Sequence, residues 1–185
     1  MANHDAAPTR GPLQGRPPAE LFRQLFEEVL NRRDADALMP YWAEDIVEEF
    51  PDATCRGREE VRDYFAAMFA AMPDFAIEAR RIVGDDTTVF VHWHSTGTFS
   101  GAPYKGVEPT GDRVELEGMD CFTLRDGLIV HNKVVFDQLG FGRQIGLFPG
   151  ADSPVERAMT AFFNLGTRLR RLVGAGRVHA TPSGA

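Results

Sequence analysis

The residues with the types and spacing to do chemistry are one aspartate, two histidines and one asparagine. Between Arg113 and Leu124, the residues Leu116, Gly118, Asp120, Phe122 and Leu124 alternate onto one strand face. Phe122 and Leu124 call for burial, so Asp120 shares a buried face. There, desolvation raises a carboxyl's pKa and favours its protonated, donating form. A carboxyl among apolar side chains costs stability unless it is paired or neutral. Two readings follow: an acid that acts on a ligand, or a structural aspartate bonded to a backbone amide or an arginine.

In Val89-Phe90-Val91-His92-Trp93-His94-Ser95, His92 and His94 share one face and Val89, Val91 and Trp93 the other. With the histidines inward, a His–Asp120 dyad could shuttle a proton near neutral pH. With Trp93 inward, the histidines lie on the outer sheet surface, and the all-apolar Val/Val/Trp side favours this second arrangement. A metal held by His92, His94 and either Asp120 or His131 is a third option. Histidines two residues apart are common by chance, so no metal is expected. Asn132, Val134 and Phe136 alternate against His131, Lys133 and Val135. Asn132 is then the polar group of its face, a partner for a ligand carbonyl or for Asp120. Asp137, ahead of Gln138-Leu139-Gly140, reads as the N-cap of a short helix. Glu48 and Glu49 beside Phe50 read as a solvated edge, and Tyr41 and Trp42 as core.

These residues sit on a pattern of helices followed by strands. After Pro17-Pro18, the apolar residues Leu21, Phe22, Leu25, Phe26, Val29 and Leu30 form one helical stripe. Asp34 can cap a second short helix through Leu38 to Trp42. Ile46 to Phe50 reads as a short strand stopped by Pro51, and residues from about Arg58 to Ala71 as a third helix with Val61, Phe65, Met68 and Phe69 on one side. Four period-two runs follow: Phe75–Val83, Thr87–Phe99, Arg113–Leu124 and Leu128–Phe136. Gly84-Asp85-Asp86 and Asp126-Gly127 supply hairpin turns, and a Gly/Pro-rich loop from Ser100 to Gly111 joins the second and third runs. The class is α+β, an antiparallel meander wrapped against helices. A further helix, Pro154 to Val173, offers Met159, Phe162, Phe163, Leu169 and Leu172 for burial, over a pocket mouth or on a second subunit.

Composition narrows the function. The 185 residues carry 20 Lys+Arg and 27 Asp+Glu, a net charge of −7, with a pI near 5.2; a nucleic-acid binder would be basic. Arg168, Arg170 and Arg171 read as a solvated helix face. Residues 1–17 contain no apolar signal-peptide core, and the longest apolar run, Phe65 to Met72, is too short to span a bilayer. Cys55 and Cys121 form neither a disulfide framework nor a metal motif. The expectation is a cytoplasmic protein with no membrane and no nucleic-acid partner. With no P-loop, no GxGxxG after a strand and no GxSxG elbow, neither a nucleotide cofactor nor serine-hydrolase chemistry is expected. The expected layout is a disordered tail over 1–17, one domain over 18–149, an appended helix over 150–174 and a disordered tail over 175–185.

Four segments in order carry a resemblance. They are Arg56-Gly57-Arg58-Glu59-Glu60-Val61-Arg62, the Gly97…Gly101…Pro109-Thr110-Gly111 loop, Met119 to Gly127, and Phe136 to Gly146. Together they resemble the SnoaL-like (polyketide cyclase-like) branch of the nuclear transport factor 2-like superfamily, over about residues 18–149. The resemblance implies a cone of curved sheet, a cystatin-like roll, closed by N-terminal helices around a deep apolar pocket. It also implies a homodimer paired through the sheet. The scaffold hosts many reactions, so its chemistry transfers only position by position. The last-strand aspartate of SnoaL-type cyclases and limonene epoxide hydrolases falls on Val134. The ketosteroid isomerase base falls on Phe50 and its oxyanion tyrosine on Phe26. Asp120 does match the oxyanion-hole aspartic acid of ketosteroid isomerases, and the position of an active-site histidine in SnoaL.

The expected function is therefore a cofactor-independent cyclase, isomerase or dehydratase acting on a hydrophobic carbonyl compound. Asp120 is the acid or oxyanion donor, with His92 or His94 as candidate helpers. Phe26, Phe50, Trp93, Phe122, Asn132, Val134 and Phe136 are the expected pocket residues. The alternative is a non-catalytic binding or sequestering protein on the same cone, favoured by the apolar residues at positions 50 and 134.

Overall fold

The computed structural model describes residues 11–13 and 15–175, with side chains through 171. The expected tails over 1–17 and 175–185 therefore fall largely outside the described residues. Within the first of them, Gly11 and Leu13 donate backbone N–H groups to Asp126 and Gly127 carbonyls at 3.0 and 3.1 Å, and Leu13 is buried.

The chain divides into two units, residues 1–147 and 148–185. In the first, α1 (Pro18–Gln24) starts on Pro18, whose fixed φ suits the first helical turn. It continues as a wider π turn over Leu25–Val29 and a tighter 3-10 turn over Leu30–Arg32, so one apolar stripe is kept although the winding changes. Phe22 and Phe26 on that stripe are fully buried. The expected second helix is a 3-10 segment, Asp36–Tyr41, that contains Pro40. Proline's missing N–H disfavours the i→i−4 ladder there. Asp34 Oδ1 accepts from the Asp36 amide at 3.0 Å.

Six strands follow in one sheet: β1 (Trp42–Phe50), β2 (Ala53–Arg56), β3 (Ala76–Gly84), β4 (Thr88–Thr98), β5 (Arg113–Arg125) and β6 (Leu128–Phe136). The order across the sheet is β2-β1-β6-β5-β4-β3. Only β1 and β6 run parallel; every other pairing is antiparallel. Helix α2 (Gly57–Ala71) follows β2, and its Phe65 stacks on Trp42 with ring centroids 5.8 Å apart. Asp126 and Gly127 both take positive φ, 55° and 73°, the backbone a tight hairpin turn requires. Asp137 caps α3 (Gln138–Gln144) by accepting from the Gly140 amide at 2.8 Å.

The sheet's inner face and the helices enclose one core in which Phe122 packs on Phe22 and Phe26, at centroid distances of 4.8 and 6.1 Å. The second unit carries α4 (Pro154–Ala175). Its Met159, Phe162 and Phe163 are exposed, as are Arg168, Arg170 and Arg171. No helix among the described residues is long and apolar enough to cross a membrane.

Candidate functional site

Alternation along β4 resolves the choice left open for its histidines. Val89, Val91, Trp93 and Ser95 are buried, while His92 and His94 lie on the other face. His94 Nε2 is 2.8 Å from Glu115 Oε1 on that outer surface. Neither histidine lines the cavity that holds Asp120, so the structure does not bring them together with the acid, and the His–Asp120 dyad is not formed. His131 likewise meets Glu49, at 3.0 Å. Among the described residues no group of three His, Cys, Asp or Glu side chains is placed to hold a metal ion.

Trp93 and Asp120 meet instead. Gly118 is the register partner of Trp93 on β5, and a Cβ built on it would lie 2.2 Å from the Trp93 ring. That bare position lets the indole lie across β5, where its Nε1–H donates to Asp120 Oδ1 at 3.1 Å. Asp120 is buried and pushed up to about 7. Desolvation raises it, and the Trp93 hydrogen bond together with the nearby Asn132 amide opposes the rise. At neutral pH it therefore populates both forms, the condition that suits an acid–base group.

The cavity beside Asp120 measures about 100 Å³ and is walled by Phe26, Phe50, Trp93, Val134 and Phe136. Five of the seven expected pocket residues thus reach it. Phe122 and Asn132 do not. Phe122 turns toward a smaller void under α1, which Asp120 also borders, and Asn132 is wholly buried. An apolar cavity of roughly 150 Å³ takes up benzene, so this smaller space, open to solvent at one side, accepts the edge of a ring whose remainder reaches toward the mouth.

Two groups of residues escape the sequence reading. The first is Glu48, which is buried rather than solvated. Asn132 Nδ2 donates to its Oε1 at 3.0 Å, and desolvation pushes it up to about 8, with the nearby Asp120 adding to the rise. The usable signal was the alternation Ile46, Glu48, Phe50, which puts Glu48 on the apolar face and sends only Glu49 outward. The second is a polar station on the cavity wall. Tyr64 Oη donates to Asp52 Oδ1 at 3.2 Å, and Lys105 pairs with Asp52. The Lys105 ammonium lies 4.8 Å from the Tyr64 ring centre and 5.4 Å from that of Tyr104. Burial raises the Tyr64 phenol and keeps it neutral. No local spacing joins residues 52, 64 and 104.

A curved six-stranded sheet closed by N-terminal helices is the architecture of the nuclear transport factor 2-like fold. Residues 22–132 match the model of the SnoaL-like domain, and the chain belongs to that family. Among solved structures, a protein from Jannaschia sp. CCS1, provisionally named a SnoaL-like polyketide cyclase, is 24% identical with a TM-score of 0.64; the match covers 74% of this chain and 99% of that one. IdmH from Streptomyces antibioticus, provisionally named a polyketide cyclase, is 27% identical with a TM-score of 0.59, over 71% of this chain and 99% of its own. AclR from Streptomyces galilaeus, provisionally named a hydroxylase, is 21% identical with a TM-score of 0.60, over 81% of this chain and 96% of its own. No curated protein sequence matches the chain.

Proposed function

We propose that this SnoaL-like protein is a cofactor-independent cyclase, isomerase or dehydratase acting on a hydrophobic carbonyl compound, with Asp120 as its acid. The observation that carries the reading is a buried carboxyl, held well above the usual carboxylate range by desolvation, in the wall of a mostly apolar cavity. A ligand ring enters the cavity by one edge and presents its carbonyl oxygen to Asp120. As the α C–H bond breaks and its proton passes to solvent water at the cavity mouth, negative charge develops on that oxygen and protonated Asp120 transfers its proton there. This leaves the enol and the Asp120 carboxylate, which solvent reprotonates. The Trp93 indole N–H and Asn132 then stabilise the carboxylate. A donor placed where charge develops is worth about a hundred- to thousandfold in rate.

The test is exchange of the α-hydrogens of β-tetralone, an enolisable apolar ketone, followed by NMR in heavy water. The proposed enzyme accelerates the exchange over buffer, and Asp120→Asn loses that acceleration by about a hundred- to thousandfold while still folding. Saturable binding of the ketone with no accelerated exchange overturns the reading. That outcome favours the alternative, a binding protein in which Phe50 and Val134 occupy positions that carry acids in catalytic relatives.

As partner we propose a second copy of the chain, docked through the outer sheet face. Met119 and Val135 are register partners there, and both are exposed together with Phe90. Light scattering on the full chain checks this: a dimer that Met119→Lys dissociates supports it, and a monomer at all concentrations overturns it.

A further inference from the structure

Among the described residues two carboxyls are buried, Asp120 and Glu48, and the proposed chemistry uses only the first. Glu48 on β1 and Asn132 on β6 are register partners, so their side chains leave the sheet side by side on one face. Asn132 Nδ2 donates to Glu48 Oε1 at 3.0 Å. The remaining head-group oxygens, Glu48 Oε2 and Asn132 Oδ1, are buried without a hydrogen-bond partner among the described residues. With Glu48 ionised, both are acceptors and neither can satisfy the other. A carboxyl and a carboxamide joined through N–H and O bring these two oxygens together when their planes align. One proton on Oε2 then satisfies both.

We propose that Glu48 is a proton-bearing positioning residue for Asp120. Its neutral carboxyl closes a two-point pair with the Asn132 carboxamide, Oε2–H to Oδ1 and Nδ2–H to Oε1. The pair fixes the amide so that the second Nδ2 hydrogen turns to Asp120, whose register partner Val134 lies two residues from Asn132 on the same face of β6. Glu48 touches neither cavity nor ligand; it acts through Asn132. Its surroundings agree with a neutral acid. Asp120 from β5 and Asn132 from β6 act on it. The Cys55 thiol of β2, the register partner of Glu48 on its other side, is pushed up by burial first, so it brings no charge to Glu48 at neutral pH. The catalytic meaning of the pair rests on Asp120 being the acid proposed above.

The experiment is a pH titration of the side-chain carboxyl carbons by NMR, on the full chain without ligand. The expected result is Glu48 protonated at neutral pH and titrating above Asp120. In Glu48→Gln the new amide N–H donates to Asn132 Oδ1 in place of Oε2–H, so the Asp120 midpoint stays where it is. In Glu48→Leu Asn132 loses its partner, and the Asp120 midpoint rises by roughly one pH unit, the worth of one hydrogen bond. An ionised Glu48 at neutral pH overturns the proposal. So does a Glu48→Gln midpoint lowered by roughly a unit or more, the signature of a removed neighbouring charge, or a Glu48→Leu midpoint that does not move. Should Glu48→Leu fail to fold, the wild-type and Glu48→Gln titrations still decide. None of these readings needs turnover, so their failure and a failure of the exchange assay are separate results.

Discussion

The Trp93 indole reaches Asp120 at 3.1 Å only because residue 118, its neighbour across the strand pair, has no side chain. The sheet thus positions its acid through a missing atom. Trp93 also walls the cavity, so one residue shapes the ligand space and holds the carboxyl.

Gly118→Ala puts a Cβ 2.2 Å from the Trp93 ring, and the indole must move. The expected cost is about 1–3 kcal/mol of stability from overpacking. Losing the hydrogen bond that favours ionised Asp120 also raises its midpoint, by roughly one pH unit. Trp93→Phe separates the two effects, since it keeps a ring without the donor. The same upward shift with a smaller stability loss is expected, measured by carboxyl-carbon NMR and urea melts.

Stability should fall as pH rises from acid to mildly alkaline. Burial raises Glu48 from 4.5 to about 8 and Asp120 from 3.8 to about 7. A carboxyl raised on folding contributes stability below its unfolded value and loses it as pH climbs through the folded one. The window therefore runs from about pH 4 to about pH 8. Glu48→Gln removes one of the two groups. Relative to wild type, it should gain stability as pH rises from about 4.5 to about 8 in melts, and a pH-independent difference would contradict this.

Phe22→Ala probes the packing beneath the site. The ring is fully buried and sits 4.8 Å from Phe122. Its loss should cost about 3–5 kcal/mol, read by urea denaturation. Asp120 borders the void beside Phe122, so water admitted there should also lower its midpoint.

How far the sequence spoke depends on how local each signal is. The four period-two runs became β3 to β6 within a residue or two, because alternation is written in consecutive residues. The Asp126-Gly127 turn and the Asp137 cap were legible for the same reason. Strand β2, only Ala53–Arg56, follows the Pro51-Asp52 turn and has no pattern long enough to see. The parallel join of β1 to β6 brings together segments more than eighty residues apart, and no spacing encodes it. Asp120 was legible at the site because Phe122 and Leu124 declare its face. Glu48 was misread because two adjacent glutamates look solvated; strand alternation separates them, one to water and one to the core. The Asp52–Tyr64 contact depends on tertiary closure alone.

The proposed chemistry requires first of all that Asp120 carry a proton near neutral pH. A pH titration of its carboxyl carbon, by NMR of the wild-type chain, should give a midpoint near 7 that moves when β-tetralone binds. A midpoint at or below the ordinary aspartate value of about 4, indifferent to the ketone, would contradict it.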